Sequence, residues 1–302
     1  MRSVVNTPDG TVIREVPDPA PREDEALVAV RAFSINRGEL ALLARRKQDW
    51  RPGQDVAGVV VEAAADGTGP KHGDRVVAIV DEGGWAELAA VPTSRLATVP
   101  DAVEMEQAAS LPMAGLTALR TLRLGGSVLG RRVLVTGAGG GVGGFQVALA
   151  ALSGAEVTAV ARPDAADRLT RIGAAAVVPD VADATGTFEL VLESVGGQEL
   201  AGAITKIAPD GTVVLLGTSS GEKTGIDIYD FVGGHEGARL LSYLSYAQPQ
   251  PAGPDLRLLV DLVASGKVKP ELGLVKDWTQ LPEAITALQD RTIQGKAVLT
   301  IT

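Results

Sequence analysis

The residues best suited to chemistry in this 302-residue chain lie in VLVTGAGGGVGG, residues 133–144. A short apolar run enters a glycine cluster, and Phe145, Ala148, Leu149 and Leu152 follow at the spacing of one helix face. Glycines let a backbone approach a diphosphate closely. A helix N-terminus adds free N–H groups and the positive end of its dipole. Two registers of the G-x-G-x-x-G pattern stay open. Gly139, Gly141 and Gly144 fit it literally, while Ala138, Gly140 and Gly143 fit with one substitution. The strand before and the helix after are the context that separates a dinucleotide site from a ligand-free glycine turn. The candidate cofactor contacts here are Gly137, Ala138, Gly140, Gly141 and Val142.

A site for NAD carries Asp or Glu at the end of the next strand, about 20 residues on, to hold the ribose 2′-hydroxyl. Here that run, EVTAVA, ends at Ala161 and is followed by Arg162, with Asp164 behind Pro163. A guanidinium pairs with a 2′-phosphate that a carboxylate would repel, so the expected cofactor is NADPH. The alternative makes Arg162 a solvated loop residue; Arg168 and Arg171 could help it hold the 2′-phosphate or, at helical spacing, simply face water. Ligands of open parallel sheets sit at the carboxyl ends of the strands. That adds Val195, in Ser194-Val195-Gly196, and Gly217 with Thr218. Glu193 is assigned to the same loop rather than to acid catalysis.

Composition excludes other chemistries. The chain has no cysteine, hence no thiolate nucleophile and no thiolate zinc site. Its two histidines rule out a His-rich metal site, so no metal ligand is expected. His72 is expected on the surface, and His235 in a loop that could border the site. Asp and Glu total 37 against 28 Lys and Arg, a net charge of −9. That balance argues against nucleic acid as the main partner, which needs a basic face. No apolar stretch is long enough to span a membrane, and MRSVVNTPDG is not a signal peptide; a cytoplasmic location is expected.

These residues must be held by regular elements. The first hundred residues alternate Val-rich runs with Pro-Asp, Asp-Gly and Gly-Gly turns and read as a β-rich unit. Residues 104–124 take helical spacing, divided at Pro112. From Arg132, uniformly apolar strands alternate with helices, one of them expected from Gln198 to Ala208, which is the pattern of a parallel sheet covered on both faces. After a linker or turn at PQPAGP (249–254) comes a helix with Leu258, Leu259, Leu262 and Val263 as its apolar stripe, then a helix at PEAITALQD and a strand at KAVLTI. This tail is expected to return to the first unit, since one helix and one strand cannot form a domain alone.

GQDVAGVVVE, GDRVVAI, GGWAELAAV, AASLPMAGLTALRTL, VLVTGAGGGVGG, LVLESVGG, GTVVLLG and GKAVLTI stand in an order that resembles the medium-chain dehydrogenase/reductase superfamily, specifically its zinc-free quinone oxidoreductase branch. The resemblance covers nearly the whole chain. It implies an α/β fold: a Rossmann doubly wound parallel sheet at 113–248, inserted into a GroES-like β-rich substrate domain at 1–112 and 249–302. It also implies hydride transfer from NADPH to a quinone or an α,β-unsaturated carbonyl. Charge spreading onto the carbonyl oxygen needs only hydrogen-bond donors there. The resemblance carries over Asn36 as the catalytic polar residue and Thr117 as a contact on the nicotinamide side. The family's proline after the asparagine is replaced by Arg37-Gly38. A turn-forming Asn36 and a Thr117 bonded to its own helix are the alternatives. The resemblance further implies a homodimer through the Rossmann sheet edge, near Tyr243 and Tyr246.

Two other readings share the fold: an enoyl or alkene reductase of a specific biosynthetic pathway, and a non-catalytic NADPH-binding sensor. A short-chain dehydrogenase does not fit, because no tyrosine has lysine four residues on and the glycine motif lies mid-chain.

Overall fold

The computed structural model describes residues 1–248 and 250–302. Pro249, where the expected linker begins, lies outside the described residues. The chain divides into two compact units, Met1–Leu116 with Pro249–Thr302, and Thr117–Gln248.

The first unit opens with the hairpin β1 (Arg2–Thr7) and β2 (Gly10–Glu15), followed by β3 (Glu25–Ile35) and the short helix α1 (Arg37–Leu43). Then come β4 (Asp55–Glu62), β5 (Arg75–Ile79), β6 (Leu88–Pro92) and β7 (Leu96–Thr98). Helices α2 (Met105–Ala109) and α3 (Pro112–Leu124) meet at Pro112, which sits at the start of α3 where its missing N–H costs nothing. The unit boundary falls inside α3, between Leu116 and Thr117.

The second unit alternates β8 (Arg132–Val135), α4 (Gly141–Leu152), β9 (Glu156–Val160), α5 (Ala166–Arg171), β10 (Ala176–Val178), β11 (Phe188–Glu193), α6 (Gly197–Ile204), β12 (Ile207–Leu215) and β13 (Arg239–Ser242). Its sheet is parallel throughout, in the order β10-β9-β8-β11-β12-β13. That is the doubly wound arrangement, reversing direction beside β8, the strand that feeds the glycine cluster. Leu134, Phe188, Val191, Ile204, Ile207 and Val213 form part of its core. Helix α6 ends at Ile204, short of the expected Ala208, because Ile207 is already paired in β12 beside Phe188 and both side chains are fully buried.

The chain then returns to the first unit with α7 (Gly253–Ala264), β14 (Leu272–Asp277), α8 (Leu281–Gln289) and β15 (Lys296–Thr300). Strand β15 pairs antiparallel with β3, completing a sheet in the order β14-β15-β3-β4-β5-β7, with β6 also on β3. Phe33 stacks on Trp85 in its core, ring centroids 5.7 Å apart. The buried stripe of α7 is Leu256, Leu259, Val260 and Val263; Leu258, expected inside, is exposed. Among the described residues no helix is long and apolar enough to cross a membrane.

Candidate functional site

The glycine segment of the second unit is a strand-to-helix corner. Gly137 turns the chain with φ +59°, a conformation that favours glycine, and Ala138 is fully buried, its N–H donating to the Val160 carbonyl at 3.0 Å. Gly140 is the N-cap of α4, and no side chain caps it; the first turn carries no acidic residue. The leading N–H groups of a helix have no intrahelical partner. Here, at Gly141, Val142 and Gly143, the cap side chain that usually answers one of them is missing. Gly143 meets the loop so closely that a Cβ would lie 2.5 Å from the Gly137 oxygen and 2.6 Å from the Ala138 Cα. At Gly139 and Gly140 a Cβ would meet nothing nearer than 3.9 and 3.4 Å. The corner is packed tightly beneath and open at its turn. A diphosphate fits that shape and those donors.

The neighbouring strand ends are tied to this corner. The Glu193 carboxylate, fully buried at the tip of β11, accepts from Thr136 Oγ1 at 3.1 Å and from the N–H groups of Val195 at 2.7 Å and Gly196 at 3.0 Å. Ser194 N–H donates to Thr136 Oγ1, and Ser194 Oγ to the Thr136 carbonyl. The loop after β12 joins the same frame, Ser219 and Ser220 N–H donating to the carbonyls of Ser194 and Val195. Gly217 lets the two loops close, since a Cβ there would stand 3.0 Å from the Ser194 oxygen. Val195, Gly217 and Thr218 therefore lie on one interlaced edge with Gly137, and Glu193 organises that edge. Thr117 is buried near the start of the unit, its carbonyl accepting from Thr121 Oγ1.

Arg162 follows β9, its side chain largely exposed and 3.5 Å from the Asp164 carboxylate. Of the two alternatives for Arg168, facing water does not hold: it is buried, and its Nη2 donates to the Gly139 carbonyl at 3.0 Å. His72 is exposed, and the ring of His235 is engaged with the Ile207 carbonyl at 2.6 Å.

The first unit holds a second cluster, most of which the motifs did not reveal. Asp55 at the start of β4, Glu39 of α1 and Ser34 of β3 are fully buried, and Lys296 at the start of β15 is 3% exposed. The Lys296 ammonium donates to Asn36 Oδ1 and reaches Asp55 Oδ2 at 3.5 Å. Asn36 Nδ2 donates to Asp55 Oδ2 at 2.8 Å and to Glu39 Oε2 at 3.2 Å. Glu39 also accepts from the N–H groups of Asn36 and Gln54, each at 2.8 Å; Asp55 accepts from Ser34 Oγ and from the Met113 N–H. Asn36 thus spends both amide hydrogens on carboxylates. In this arrangement it is a bridge inside the network, with no amide hydrogen left over for a developing oxyanion. A lysine opening an apolar strand and an aspartate beginning VAGVVVE are the signals that mark such a pair, because neither is buried without a partner.

Burial, and next the negative charge of Asp55, push the Glu39 carboxyl up to about 8. The folded chain then holds a proton there that the unfolded chain releases near pH 4.5. Its contribution to stability is complete below that value and is lost as pH rises toward 8. The unfolding midpoint of the protein should therefore fall more steeply between pH 5 and pH 8 than that of Glu39→Gln, measured by thermal melts in matched buffers. Parallel profiles would contradict the assignment. Among the described residues, no group of three or more His, Asp or Glu side chains is placed to hold a metal ion.

Comparison with known proteins agrees with both halves. Residues 22–101 match the alcohol dehydrogenase GroES-like domain, and residues 166–299 match a model described as zinc-binding dehydrogenase. The chain is 30% identical over 284 residues to the mitochondrial NAD(P)H oxidoreductase RTN4IP1 of Mus musculus, covering 82% of this chain and 70% of that protein. It is 32% identical over 273 residues to the putative quinone oxidoreductase YhfP of Bacillus subtilis, covering 82% and 80%. A mycobacterial protein solved in complex with NADPH superposes with a TM-score of 0.88 at 25% identity, with all of both chains covered. The chain belongs to the medium-chain dehydrogenase/reductase superfamily, in its zinc-free, quinone oxidoreductase-like branch.

Proposed function

We propose that this protein is an NADPH-dependent, metal-free oxidoreductase that delivers hydride to a quinone or an α,β-unsaturated carbonyl compound. The observation that carries the reading is the uncapped N-terminus of α4 behind an open glycine turn. The N–H groups of Gly141, Val142 and Gly143 hold the diphosphate, and Gly137 and Gly140 let it approach. Val195, Gly217 and Thr218 line the same edge, Thr117 belongs to the nicotinamide side, and Arg162 pairs with the 2′-phosphate. NADPH, when bound, supplies the hydride. In the first unit, Lys296 supplies from the chain itself the positive charge that buried Asp55 requires, and this supports a reaction without a metal. Asn36 serves the substrate half as the residue that this network holds in place.

The exposed flank of β13 supports a homodimer through the sheet edge. It is the last strand of its sheet, and Ile228, Tyr229, Val232, Leu244 and Tyr246 are exposed beside it in sequence, whereas Tyr243 is buried. An uncovered apolar strand edge favours pairing with another chain.

Arg162→Ala tests the cofactor. Losing one exposed charge-assisted contact should weaken NADPH about tenfold and leave NADH within about twofold of the parent, read as dissociation constants from quenching of nicotinamide fluorescence. Equal losses for the two nucleotides would remove Arg162 from the 2′-phosphate. Oxidation of NADPH by a panel of quinones and enones tests the reaction itself; binding without turnover on any acceptor would favour a sensor.

A further inference from the structure

The segment that joins Asn36 to Asp55 is basic in an acidic chain. Residues 37–51 hold Arg37, Arg45, Arg46, Lys47 and Arg51 against Glu39 and Asp49, while the whole chain carries a net charge of −9. Neither acid offsets the loop after α1: Glu39 is fully buried, and Asp49 is paired with Arg14 of β2. Arg45, Arg46 and Lys47 are exposed, and among the described residues none of them has a carboxylate partner. The loop that carries them is fixed. Asn6 Nδ2 donates to the carbonyls of Leu43 at 3.1 Å and Arg46 at 3.4 Å, and the Asp49 N–H donates to the Asn6 carbonyl at 2.9 Å. Asp49 holds φ +69°, a conformation few residues with a side chain adopt. The Arg46 guanidinium lies over the Trp50 ring, 5.7 Å from its centroid, and Trp50 Nε1 donates to Glu82 at 2.6 Å. One cation beyond a helix C-terminus answers its dipole. Three in succession after the seven-residue α1 exceed that need, and their mutual repulsion is relieved only by an anion.

We infer that Arg45, Arg46 and Lys47 bind the far end of the acceptor, and that the acceptor is an α,β-unsaturated carbonyl compound on an arm that ends in phosphate or diphosphate. Asn36 and Ala44 are the two caps of α1, so the strip begins about 12 Å along the helix from Asn36. An acceptor that reacts beside Asn36 must be long enough to cover that distance. Two guanidiniums and an ammonium side by side suit a group with more than one negative charge. The fork of arginine matches phosphate oxygens in pairs, whereas a single carboxylate would need only one such residue. The inference rests on the proposed hydride transfer and names the class of its substrate.

The experiment compares the full-length protein with its Arg45→Gln/Arg46→Gln/Lys47→Gln variant; all three positions are exposed, so the fold should survive. Coenzyme A is the binding probe, titrated with NADP+ in excess so that the glycine corner is not its target. Trp85 and Trp278 are buried and Trp50 lies half-buried under Arg46, so tryptophan fluorescence reports on the loop. Coenzyme A should bind the parent, and bind the variant about tenfold more weakly. Added salt should weaken the parent complex and leave the variant nearly unchanged. In turnover, the variant should raise the Michaelis constant for crotonyl-coenzyme A about tenfold and leave S-crotonyl-N-acetylcysteamine, the same enoyl group without phosphate, within about twofold. A parent that does not bind coenzyme A overturns the inference. So does a variant that binds it equally well, and so does an equal loss for the two thioesters. If the variant does not fold, the parent decides by itself: binding that salt does not weaken overturns the inference. Reduction of quinones without binding of coenzyme A would overturn the anion site alone. Binding that depends on the three charges, with no NADPH consumed on any acceptor, would overturn the hydride transfer and leave the anion site standing.

Discussion

Lys296→Met is expected to lower the unfolding free energy by about 3–5 kcal/mol, a drop in thermal midpoint on the order of 10 °C. The substitution keeps the length of the side chain and removes only the charge. What remains is a pair of fully buried carboxylates, Asp55 and Glu39, whose one nearby ammonium is gone. A buried pair broken on one side costs far more than the pair contributes when intact, because the surviving charge is neither solvated nor matched. The loss should be greater at pH 8 than at pH 6, since protonation of Glu39, already favoured by its burial, relieves part of it. Asp55→Asn placed on top of Lys296→Met should recover much of the stability, and a thermal double-mutant cycle measures that recovery. Additive effects would show that the two side chains are not coupled. In the same variant Asn36 Oδ1 loses its donor while Nδ2 keeps Asp55 and Glu39, so the amide is held on one side only and the substrate half should lose part of its fixed geometry. The Michaelis constant of an active acceptor should then rise even where the protein remains folded.

Gly143→Ala should abolish tight nucleotide binding, with dissociation constants for NADPH and NADH raised on the order of 100-fold. Helix propensity cannot be the cause, because alanine is the better helix former by about 1 kcal/mol. Nor is a positive φ involved, as Gly143 is an ordinary residue of α4. The new methyl group would stand 2.5 Å from the Gly137 oxygen and 2.6 Å from the Ala138 Cα, both backbone atoms with no rotamer to move. Either α4 withdraws from the loop or Gly137–Ala138 swings out, and in both cases the N–H groups of the first turn lose their common focus. Overpacking of this kind costs about 1–3 kcal/mol of stability, so the variant should still fold at room temperature. Gly139→Ala is the control for stability, since its methyl would meet nothing nearer than 3.9 Å and should leave the midpoint unchanged. Calorimetric titration of Gly143→Ala with either nucleotide checks the expectation; unaltered affinity would mean that the corner does not hold the diphosphate.

The parallel sheet was legible because buried parallel strands are apolar on both faces. VLVT, EVTAVA, FELVLE and TVVLLG announce themselves without reference to anything distant in the chain. The strand–glycine–helix corner was legible for a similar reason: its signal is local, and glycine is required by closeness of backbone to backbone. Strand β14 escaped, as its burial alternates weakly between half-buried and exposed residues at the end of a sheet. The stripe of α7 was misplaced by one step because Leu256, Leu258, Leu259, Val260, Leu262 and Val263 offer more apolar residues than one face can bury.

The polar network was hidden for a deeper reason. Lys296 and Asn36 lie at opposite ends of the chain and meet only because β15 pairs with β3. No local period encodes that meeting. What the sequence did contain was a residue type out of place, a lysine at the head of an apolar strand. Helical spacing left Arg168 open between a solvated face and the cofactor corner, because its proximity to Gly139 is fixed by the packing of α5 against the glycine turn and not by any local pattern. Asn36 illustrates the limit of resemblance. Its position was anticipated, yet the partners of its amide differ from those its expected role would need.

The most direct test is calorimetric titration of the parent protein with NADPH and with NADH, in buffer containing a chelator. The account predicts saturable binding of one nucleotide per chain, tighter for NADPH, and unaffected by removal of metal. Absence of heat and of saturation with both nucleotides, or binding that appears only when a divalent metal is restored, would contradict it.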